Sequence, residues 1–443
     1  MLDFSYFFIV SAFVSFIIFL FNKGTFLDFK NIWSIIFYKQ AVFIILPVLL
    51  LSIYEVKDFH SLKMVKQSSV FFISNLVVFS FSIFTLTFLI LNRFLFSTQK
   101  NSMSFSGFAY NPEIDYFSVA AVFSGVFLLI YAILFLGYEH AFITSIMSST
   151  NVLHVRLQNA YSTGLPSQVA YLISVSCWVA SIYSGLLATK RRRFASLFFF
   201  LIAFFLSSAG GAKAPVVSSF IYFVMSYLYF SSMSNKIISF KKLLLWSPLY
   251  IFMVFIIIYY AVSLQVTDLT INKFFIYLVE RLGVGQMAGV FETFSISFSR
   301  PESAFHMVPF ASLFIDYPIF SKELMLFTEN REFSNTGVKN SFFIAEAYGM
   351  GGWFLMILSP VWMALAYIIK IFIISFFLKV AFGESVSKIY LLPLFFLSTN
   401  PTGDFSSFAF QKGTILLVIV LSVFYIVKVL IKPFIKFSMG YRL

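Results

Sequence analysis

The chain has 443 residues, of which 60% are apolar and only 11% are charged, whereas about 25% of the residues in an ordinary soluble protein are charged. Its mean hydropathy of +0.93, with charges that lie between uncharged stretches long enough to cross a bilayer, excludes a soluble chain of globular domains. The formal net charge of +13 therefore does not indicate a nucleic-acid partner, and the positions of the basic residues carry more information than their sum.

The uncharged stretches predict an all-α, polytopic integral membrane protein with about 11 to 12 transmembrane helices. A charge at the centre of a span would cost roughly 2.5–3.5 kcal/mol, so uncharged length is the guide. We expect residues 1–443 to form a single transmembrane domain, in which Lys370 and Lys428 snorkel from the cytoplasmic ends of their helices. The candidate spans in chain order are 4–21, 32–54, 68–91, 117–137, 168–188, 194–209, 215–231, 243–263, 352–378, 389–403 and 413–431.

Basic clusters beside the spans indicate their orientation, because the positive-inside rule places these clusters in the cytoplasm. The clusters lie in 190–193, 236–242, 379–388 and 428–442. Alternation then places 264–351 outside, as a large, partly helical periplasmic loop inserted between spans. It also places 138–167 outside, as a smaller periplasmic segment. The larger loop holds nine of the 18 acidic residues, and a loop of this length is usually functional.

The larger loop begins with a segment that could carry chemistry. Residues 272–299 are predicted as one helix after Thr270, which places Arg281 and Glu292 on one stripe about three turns apart. A guanidinium in this position suits bidentate capture of a diphosphate at the membrane surface. The alternative is an ordinary surface helix that presents its charges to water.

Three further features are predicted on the external face. Lys213 is the one cation of a glycine-rich turn, and the alternative there is a short turn with an incidental lysine. Glu346 lies on the helix that enters the next span, beside the glycine-rich break 349–352, which is a costly position unless the carboxylate is paired or used. Arg156 with His154 could join the same face, and an ordinary solvated pair is the alternative.

The sequence lacks the signatures of soluble enzymes and of metal sites. The four histidines are scattered, the single cysteine, Cys177, lies in an apolar run, and neither a P-loop nor an HExxH segment occurs. Glu113 and Asp115 form an acidic pair that a divalent ion could use, but a solvated acidic turn is the simpler interpretation. We therefore expect no metal ion and no other cofactor.

Three short segments, together with the hydropathy layout over most of the chain, resemble the bacterial oligosaccharide repeat-unit polymerases. These are the O-antigen or capsule polymerases of the Wzy type, which are related to the O-antigen ligases. The segments are Gly211-Ala212-Lys213-Ala214, Glu280-Arg281-Leu282, and Lys339-Asn340-Ser341-Phe342-Phe343 followed by Glu346 to Gly352. Lys213 departs from the arginine that is usual in the family. Lys339 also departs, and the ligases carry a histidine before the Asn/Ser pair, so no histidine base is carried over.

The resemblance implies a GT-C-like glycosyltransferase in the bacterial inner (cytoplasmic) membrane. Such an enzyme would transfer a growing glycan from undecaprenyl diphosphate onto the non-reducing end of an incoming lipid-linked oligosaccharide repeat unit at the periplasmic face. It would require neither a nucleotide sugar nor a metal ion. Its partners would be the undecaprenyl-diphosphate-linked oligosaccharide and membrane lipid, and a chain-length regulator (a polysaccharide co-polymerase) and a flippase stay open as protein partners.

The resemblance and the chemistry of the side chains together give the expected site. A departing diphosphate builds negative charge that fixed cations stabilise, and the acceptor hydroxyl needs a carboxylate as proton acceptor. The expected diphosphate ligands are Arg281, Arg300, Arg156, Lys213 and Lys339. The expected catalytic carboxylate is Glu292, Glu346 or Glu280. Other substrate contacts are expected from His154, Asn340 and Tyr348.

Three other functions stay open at this point. They are a lipid-linked oligosaccharide flippase or another transporter, an O-antigen ligase, and a purely structural membrane subunit, which the long external loop disfavours. Transporters usually show two related halves and polar residues near the middle of the membrane. No internal repeat is visible in this chain, and its charges avoid the centres of the predicted spans, so the polymerase is the favoured reading.

Overall fold

The computed structural model describes most of the chain between residues 44 and 390. The continuous stretches are 44–96, 112–148, 165–211, 213–233, 269–307, 319–330, 341–384 and 417–423, with shorter pieces and single residues between 155 and 429. The predicted spans 4–21, 243–263 and 389–403 lie wholly or mostly outside the described residues, and the spans 32–54 and 413–431 are described in part.

Every regular element in this described part of the chain is helical, which confirms the all-α prediction. Short 3₁₀ and π turns connect some of the helices. The helices are α1 (Ile44–Ile53), α2 (Val70–Phe96), α3 (Pro112–Phe135), α4 (Ala141–Ser148), α5 (Ser167–Thr189), α6 (Arg193–Ser208), α7 (Lys213–Met233), α8 (Ile271–Leu278), α9 (Ala288–Ile296), α10 (Phe320–Glu329) and α11 (Phe343–Phe382).

Four of these helices are long and apolar enough to cross a membrane. They are Gln67–Leu91 in and just before α2, Ile114–Phe135 in α3, Gln168–Thr189 in α5, and α11. Three apolar helices, α1, α6 and residues Pro215–Tyr227 of α7, are shorter, and α8 and α9 reach the required length only as a pair bent by 54°. The chain therefore has helices suited to a membrane, while the larger number of spans and the GT-C-like fold stay predictions.

The surface of α3 shows why such a helix suits a bilayer. Phe127, Leu134 and Phe135 are 68%, 68% and 72% exposed, although Val122 and Leu129 of the same helix are completely buried. Apolar surface left in water costs about 25 cal/mol per Å², whereas hydrocarbon accepts it and the helix satisfies its own backbone hydrogen bonds. The exposed phenylalanines of α3 are therefore a surface for lipid.

The chain divides into two compact units. Unit 1 comprises Met1–Ser102, Phe275–Ile373 and Ser398–Ile415, and unit 2 comprises Met103–Phe274, Ile374–Leu397 and Leu416–Leu443. The helices α1, α2, α9 and α10 and most of α11 belong to unit 1, whereas α3 to α7 belong to unit 2.

Within unit 2, α5 packs against α3, α6 and α7. Small residues allow the close approach of α5 and α7. A Cβ atom on Gly185 would overlap the side chain of Ser226 and the backbone of Phe223, and the hydroxyls of Ser181 and Ser219 lie 2.7 Å apart. Small residues and hydroxyl contacts of this kind are typical of helix pairs in membranes.

Within unit 1, α11 is broken at Gly351 and Gly352, whose backbone angles are not helical. Phe343, before the break, and Tyr367, after it, have ring centroids 5.9 Å and 5.2 Å from that of Phe84 in α2. Their rings therefore lie within about 11 Å of each other, whereas 24 residues of continuous helix would separate them by about 36 Å. The chain turns back at the two glycines, so a short buried helix lies beside the span that follows it.

The predicted glycine-rich break is thus confirmed, and its physical causes can be named. Gly352 has φ +63°, in the left-handed region that glycine adopts without the strain of a Cβ atom. Gly349 leaves room for α10, because a Cβ atom there would overlap the ring of Phe320. One glycine therefore makes the reversal, and the other allows α10 to pack on the short helix.

The prediction of one continuous helix over 272–299 is wrong. The segment forms α8, a π turn at Val279–Gly283, a 3₁₀ turn at Val284–Gln286 and α9. A Cβ atom on Gly283 would overlap Leu50 of α1, and glycine is a poor helix former, so packing against α1 prevails over continuation of the helix. Arg281 is consequently exposed while Glu292 is fully buried, and the two do not share one stripe.

Lys370 does not snorkel as predicted. It lies within α11 and is completely buried, so its ammonium group does not reach water at a helix end. The expectation that charges avoid the interior of the spans is therefore wrong at this position. Lys428, the other residue expected to snorkel, lies outside the described residues.

Candidate active site

The centre of the predicted site contains a buried ion cluster, formed by Glu292, Thr328, Glu329 and Lys339. The ammonium of Lys339 lies 3.0 Å from Oε2 of Glu292 and 3.1 Å from Oε1 of Glu329. It also donates a long hydrogen bond of 3.4 Å to Oγ1 of Thr328. Glu292 is 0% exposed and Lys339 6%, so water is excluded from the pair. The structure thereby brings together two of the predicted site residues.

The buried ion cluster joins three parts of unit 1. Glu292 belongs to α9, Glu329 ends α10, and Lys339 precedes α11, where its backbone N–H donates to the carbonyl of Ser321. Removing an ion from water costs several kcal/mol, so each carboxylate is stabilised by the shared ammonium group. Lys339 thus faces two carboxylates, and its predicted role as a diphosphate ligand stays a prediction.

Arg300 is fixed against the short helix that precedes the break in α11. Its backbone N–H donates to the carbonyl of Gly349 over 2.8 Å, and the hydroxyl of Ser299 donates to the same carbonyl. The guanidinium lies 4.9 Å from the ring centroid of Phe298 and 4.0 Å from a carboxylate oxygen of Glu323. Because 42% of its side chain is exposed, Arg300 can be reached by an anionic ligand.

The loop before α2 is bound to the start of the predicted external loop. The backbone N–H of Ser61 donates to Oε1 of Glu280 over 2.6 Å, and the hydroxyls of Ser69 and Ser295 lie 2.7 Å apart. The two segments are far apart in the sequence, yet these contacts hold them at the same end of unit 1. They must therefore lie on the same side of a membrane.

Arg281 is exposed on the π turn that follows α8. Its guanidinium lies 5.7 Å from the ring centroid of Tyr277, and its backbone carbonyl accepts a hydrogen bond from the side chain of Gln286. These contacts orient the turn without covering the charge. Arg281 is therefore free to meet a ligand at the surface of unit 1.

Sequence reasoning missed two cations that the loop before α2 brings to this surface. Lys63 and Lys66 are exposed and form no ion pair within the described residues, whereas Lys57 is paired with Glu55 at 2.6 Å. The sequence did contain a signal for them, which was the predicted external position of this loop. Eleven alternating spans place this loop outside, where lysines run against the positive-inside rule. We refer to Lys63, Lys66 and Arg281 as the loop cations.

Four aromatic rings lie where α2 and the later part of α11 begin. The ring of Tyr348 is 4.7 Å from that of Phe294 and 5.2 Å from that of Trp353, and Trp353 is 6.2 Å from Phe72. Trp353 is 48% exposed and Phe72 is 54% exposed. The contact between Phe72 and Trp353 places the starts of the two spans at one level. The predicted contact of Tyr348 with substrate stays a prediction.

The remaining predicted site residues are placed only in part. Glu346 is 4% exposed in the short helix of α11 and has an interaction partner inside the protein. Lys213 begins α7 in unit 2, and the structure describes its backbone but not its side chain. Three other predicted site residues lie outside the described residues altogether, namely Arg156, His154 and Asn340. A single cavity that gathers all the predicted cations therefore stays a prediction.

The segment after α3 contains a histidine that acts in packing. His140 is buried, its ring stacks on Phe205 at 4.6 Å, and its Nε2 lies 3.0 Å from the backbone carbonyl of Phe205. Burial lowers the pKa of His140 below its ordinary value, so the ring stays neutral at pH 7. Glu139 and Asn159 exchange two hydrogen bonds beside it, through the backbone of Glu139. This segment is therefore held by local contacts.

Cysteine labelling can test the side on which these loops lie. We expect a membrane-impermeant maleimide to label His60→Cys and Glu302→Cys from outside the cell, because both positions are exposed and both belong to segments bound to α9 or the short helix of α11. Ser334→Cys in the predicted external loop should respond in the same way. Cys177 is buried, so the unmodified chain supplies a low background. Labelling of these positions from the cytoplasm alone would invert the predicted orientation.

No family model, curated protein or solved structure matches this chain. Among the residues that the structure describes, no group of three or more His, Cys, Asp or Glu side chains is placed to hold a metal ion. Activity without a metal stays a prediction.

Proposed function

We propose that this protein is a metal-independent glycosyltransferase of the bacterial inner membrane that elongates a lipid-linked glycan. It transfers the growing chain from undecaprenyl diphosphate onto the non-reducing end of an incoming lipid-linked oligosaccharide repeat unit at the periplasmic face. The observation that carries the proposal is the set of exposed cations Lys63, Lys66 and Arg281, together with the partly exposed Arg300, near the starts of apolar spans in unit 1. A lipid-borne diphosphate combines the negative charge and the apolar tail that such a surface accepts.

The reaction requires charge stabilisation and one proton acceptor. The bond between the diphosphate oxygen and C1 of the reducing-end sugar of the growing chain breaks, and a bond forms between this C1 and a hydroxyl oxygen of the acceptor. The departing diphosphate takes the electron pair, and the loop cations stabilise the negative charge. Arg281 adds two parallel hydrogen bonds to phosphate oxygens, which a lysine cannot supply. The hydroxyl proton passes to a carboxylate within hydrogen-bond reach.

Among the three candidate carboxylates, we assign the role of base to Glu280. Glu292 is completely buried beside Lys339, and Glu346 is 4% exposed, so an acceptor hydroxyl does not reach either of them as the protein stands. Glu280 is partly exposed, and the N–H of Ser61 orients one of its oxygens. The buried ion cluster then acts indirectly, by holding α9 and α10 in place.

The apolar parts of the substrate have matching surfaces in unit 1. The lipid tail reaches the site laterally, because the spans present exposed apolar side chains to the bilayer. The half-exposed ring of Trp353, supported by Tyr348, offers a flat apolar surface on which a sugar ring can stack. The loop cations then hold the diphosphate of one donor molecule and the aromatic surface holds a sugar ring, while the lipid tail stays in the bilayer.

The glycan profile of a cell that lacks this protein tests the proposal. We expect loss of the polymer, with surface acceptors capped by single repeat units, because units are still made and exported but not joined. Supplying the unmodified gene should restore the long chains. Loss of all surface units would contradict the polymerase and would indicate a flippase or a ligase.

A lipid-linked oligosaccharide transporter is the second candidate, and Lys370 is the observation that favours it. An ionisable group buried within a span often marks a transport pathway, and Lys370 is completely buried in α11. One such residue does not make a chain of polar groups through a helix bundle, whereas several exposed cations gather at the span ends. The glycan profile separates the two functions, because a transporter supplies every surface unit.

A further inference from the structure

A cavity of about 540 Å³ lies in unit 2, where the end of α5 meets the start of α6 and the last turns of α7. Ligand sites typically measure about 300–1,000 Å³. Arg191, Arg193 and Ser231 line one part of this cavity, and Phe200 and Phe223 line another. The cavity therefore combines cationic groups with an apolar wall.

The two arginines of the cavity have no acidic partner among the described residues. Asp115, a carboxylate at the start of α3, accepts a hydrogen bond of 2.5 Å from the hydroxyl of Tyr183. Asp115 also attracts Lys190. Burial lowers the pKa of Lys190 to about 8, and the negative charge of Asp115 opposes that lowering. Asp115 is thus engaged elsewhere, and the charges of Arg191 and Arg193 are available to an anion.

The backbone around the arginines also favours an anionic ligand. α6 begins at Arg193, and the preceding residue, Arg192, makes no side-chain capping hydrogen bond, so the positive end of the helix dipole is left without a side-chain cap. Arg191 has φ +62°, a left-handed conformation that few residues other than glycine adopt. This conformation closes the end of α5, where the N–H of Arg191 donates to the carbonyl of Ala188 and the N–H of Arg192 to the carbonyl of Leu187, as in many helix C-terminal caps.

We propose that this cavity binds the headgroup of an anionic phospholipid, with Arg191 and Arg193 on the phosphate and with Phe200 and Phe223 against the glycerol and the first part of an acyl chain. The basic cluster 190–193 is expected in the cytoplasm, where anionic lipids attract basic residues and where pockets between membrane helices bind such headgroups. A free phosphate ion would share the charge of this ligand but would leave the apolar wall unused.

Thermal unfolding of the purified full-length protein in a neutral detergent tests the site. We expect added phosphatidylglycerol to raise the melting temperature, whereas phosphatidylcholine and inorganic phosphate at the same concentration do not. Arg191→Gly should weaken the response to phosphatidylglycerol about fivefold in apparent affinity, and Arg191→Gly with Arg193→Ser about 25-fold. Glycine adopts the left-handed conformation freely, so Arg191→Gly should not lower the melting temperature in the absence of lipid.

Arg192→Ala is the matched control, because it removes the same charge from the same turn but from a residue that does not line the cavity, and alanine adds no side-chain cap to α6. Its response to phosphatidylglycerol should match that of the unmodified protein. Three results would each overturn the proposal. The first is a rise in melting temperature with phosphatidylglycerol that is as large in the double variant as in the unmodified protein. The second is a rise with phosphatidylcholine as large as that with phosphatidylglycerol. The third is a rise with inorganic phosphate as large as that with phosphatidylglycerol.

Discussion

Replacing Lys339 by methionine is expected to lower the free energy of unfolding by about 3–5 kcal/mol, because removing one partner of a buried ion pair leaves an uncompensated charge. Glu292 is 0% exposed and the ammonium lies 3.0 Å from its carboxylate, while Glu329 shares the same ammonium at 3.1 Å. Methionine has a similar length, so lost charge rather than lost volume dominates the effect. Denaturant titration of the purified protein in detergent, followed by circular dichroism, measures the change.

Lys57→Met is the matched control for this prediction. It makes the same substitution in an ion pair with Glu55, whose side chains are 77% and 57% exposed, and exposed pairs contribute little because water screens them. Glu292→Gln combined with Lys339→Met removes one uncompensated carboxylate and should recover part of the lost stability. A loss in Lys339→Met no larger than in Lys57→Met would show that the buried ion cluster does not hold α9, α10 and the start of α11 together.

The long helices were predictable because their cause is local. The uncharged stretches at 68–91, 117–137 and 168–188 overlap α2, α3 and α5, with ends that differ by up to five residues, since span length and the cost of charge are properties of a single segment. The break at Gly351 and Gly352 was predictable for the same reason, because glycine lowers helix propensity wherever it occurs.

The failures arise where distant segments meet. In the sequence, Gly283 is a single glycine within a helical pattern, which does not by itself end a helix. The helix ends there because Gly283 packs closely against Leu50. The loop lysines Lys63 and Lys66 belong to no motif in the sequence, and only the contact of their loop with Glu280 connects them with a site. Tertiary contacts of this kind override the helix propensity of a segment, and they produce no pattern in the local sequence from which they could be predicted.

The buried ion cluster was predicted in part. Glu292 and Lys339 were both selected as site residues, but for separate roles, as a catalytic carboxylate and a diphosphate ligand. No pattern in the sequence pairs them, because 46 intervening residues separate the two. Glu329, the third charged member, ends α10 and was not selected. The structure thus changes the expected role of a pair whose members were chosen for their chemistry.

Arg281→Ala is expected to reduce the rate of glycan elongation by about 10²- to 10³-fold, the usual loss when one group that stabilises transition-state charge is removed. The cells should carry single repeat units on the lipid carrier and on surface acceptors, with few long chains. Arg281 is exposed on its π turn, so the substitution removes no buried contact and should leave the melting temperature close to that of the unmodified protein. Glycan chain length on a gel and in vitro elongation of a lipid-linked repeat unit measure the effect.

Two variants separate the role of the guanidinium from that of charge alone. Arg281→Lys keeps the charge but loses the bidentate geometry, so its rate should lie between those of Arg281→Ala and the unmodified protein. Lys273→Ala removes an exposed cation from α8, two turns earlier, and should elongate normally because that residue is outside the loop cations. Normal chain lengths in Arg281→Ala, or equal losses in all three variants, would contradict a diphosphate contact at Arg281.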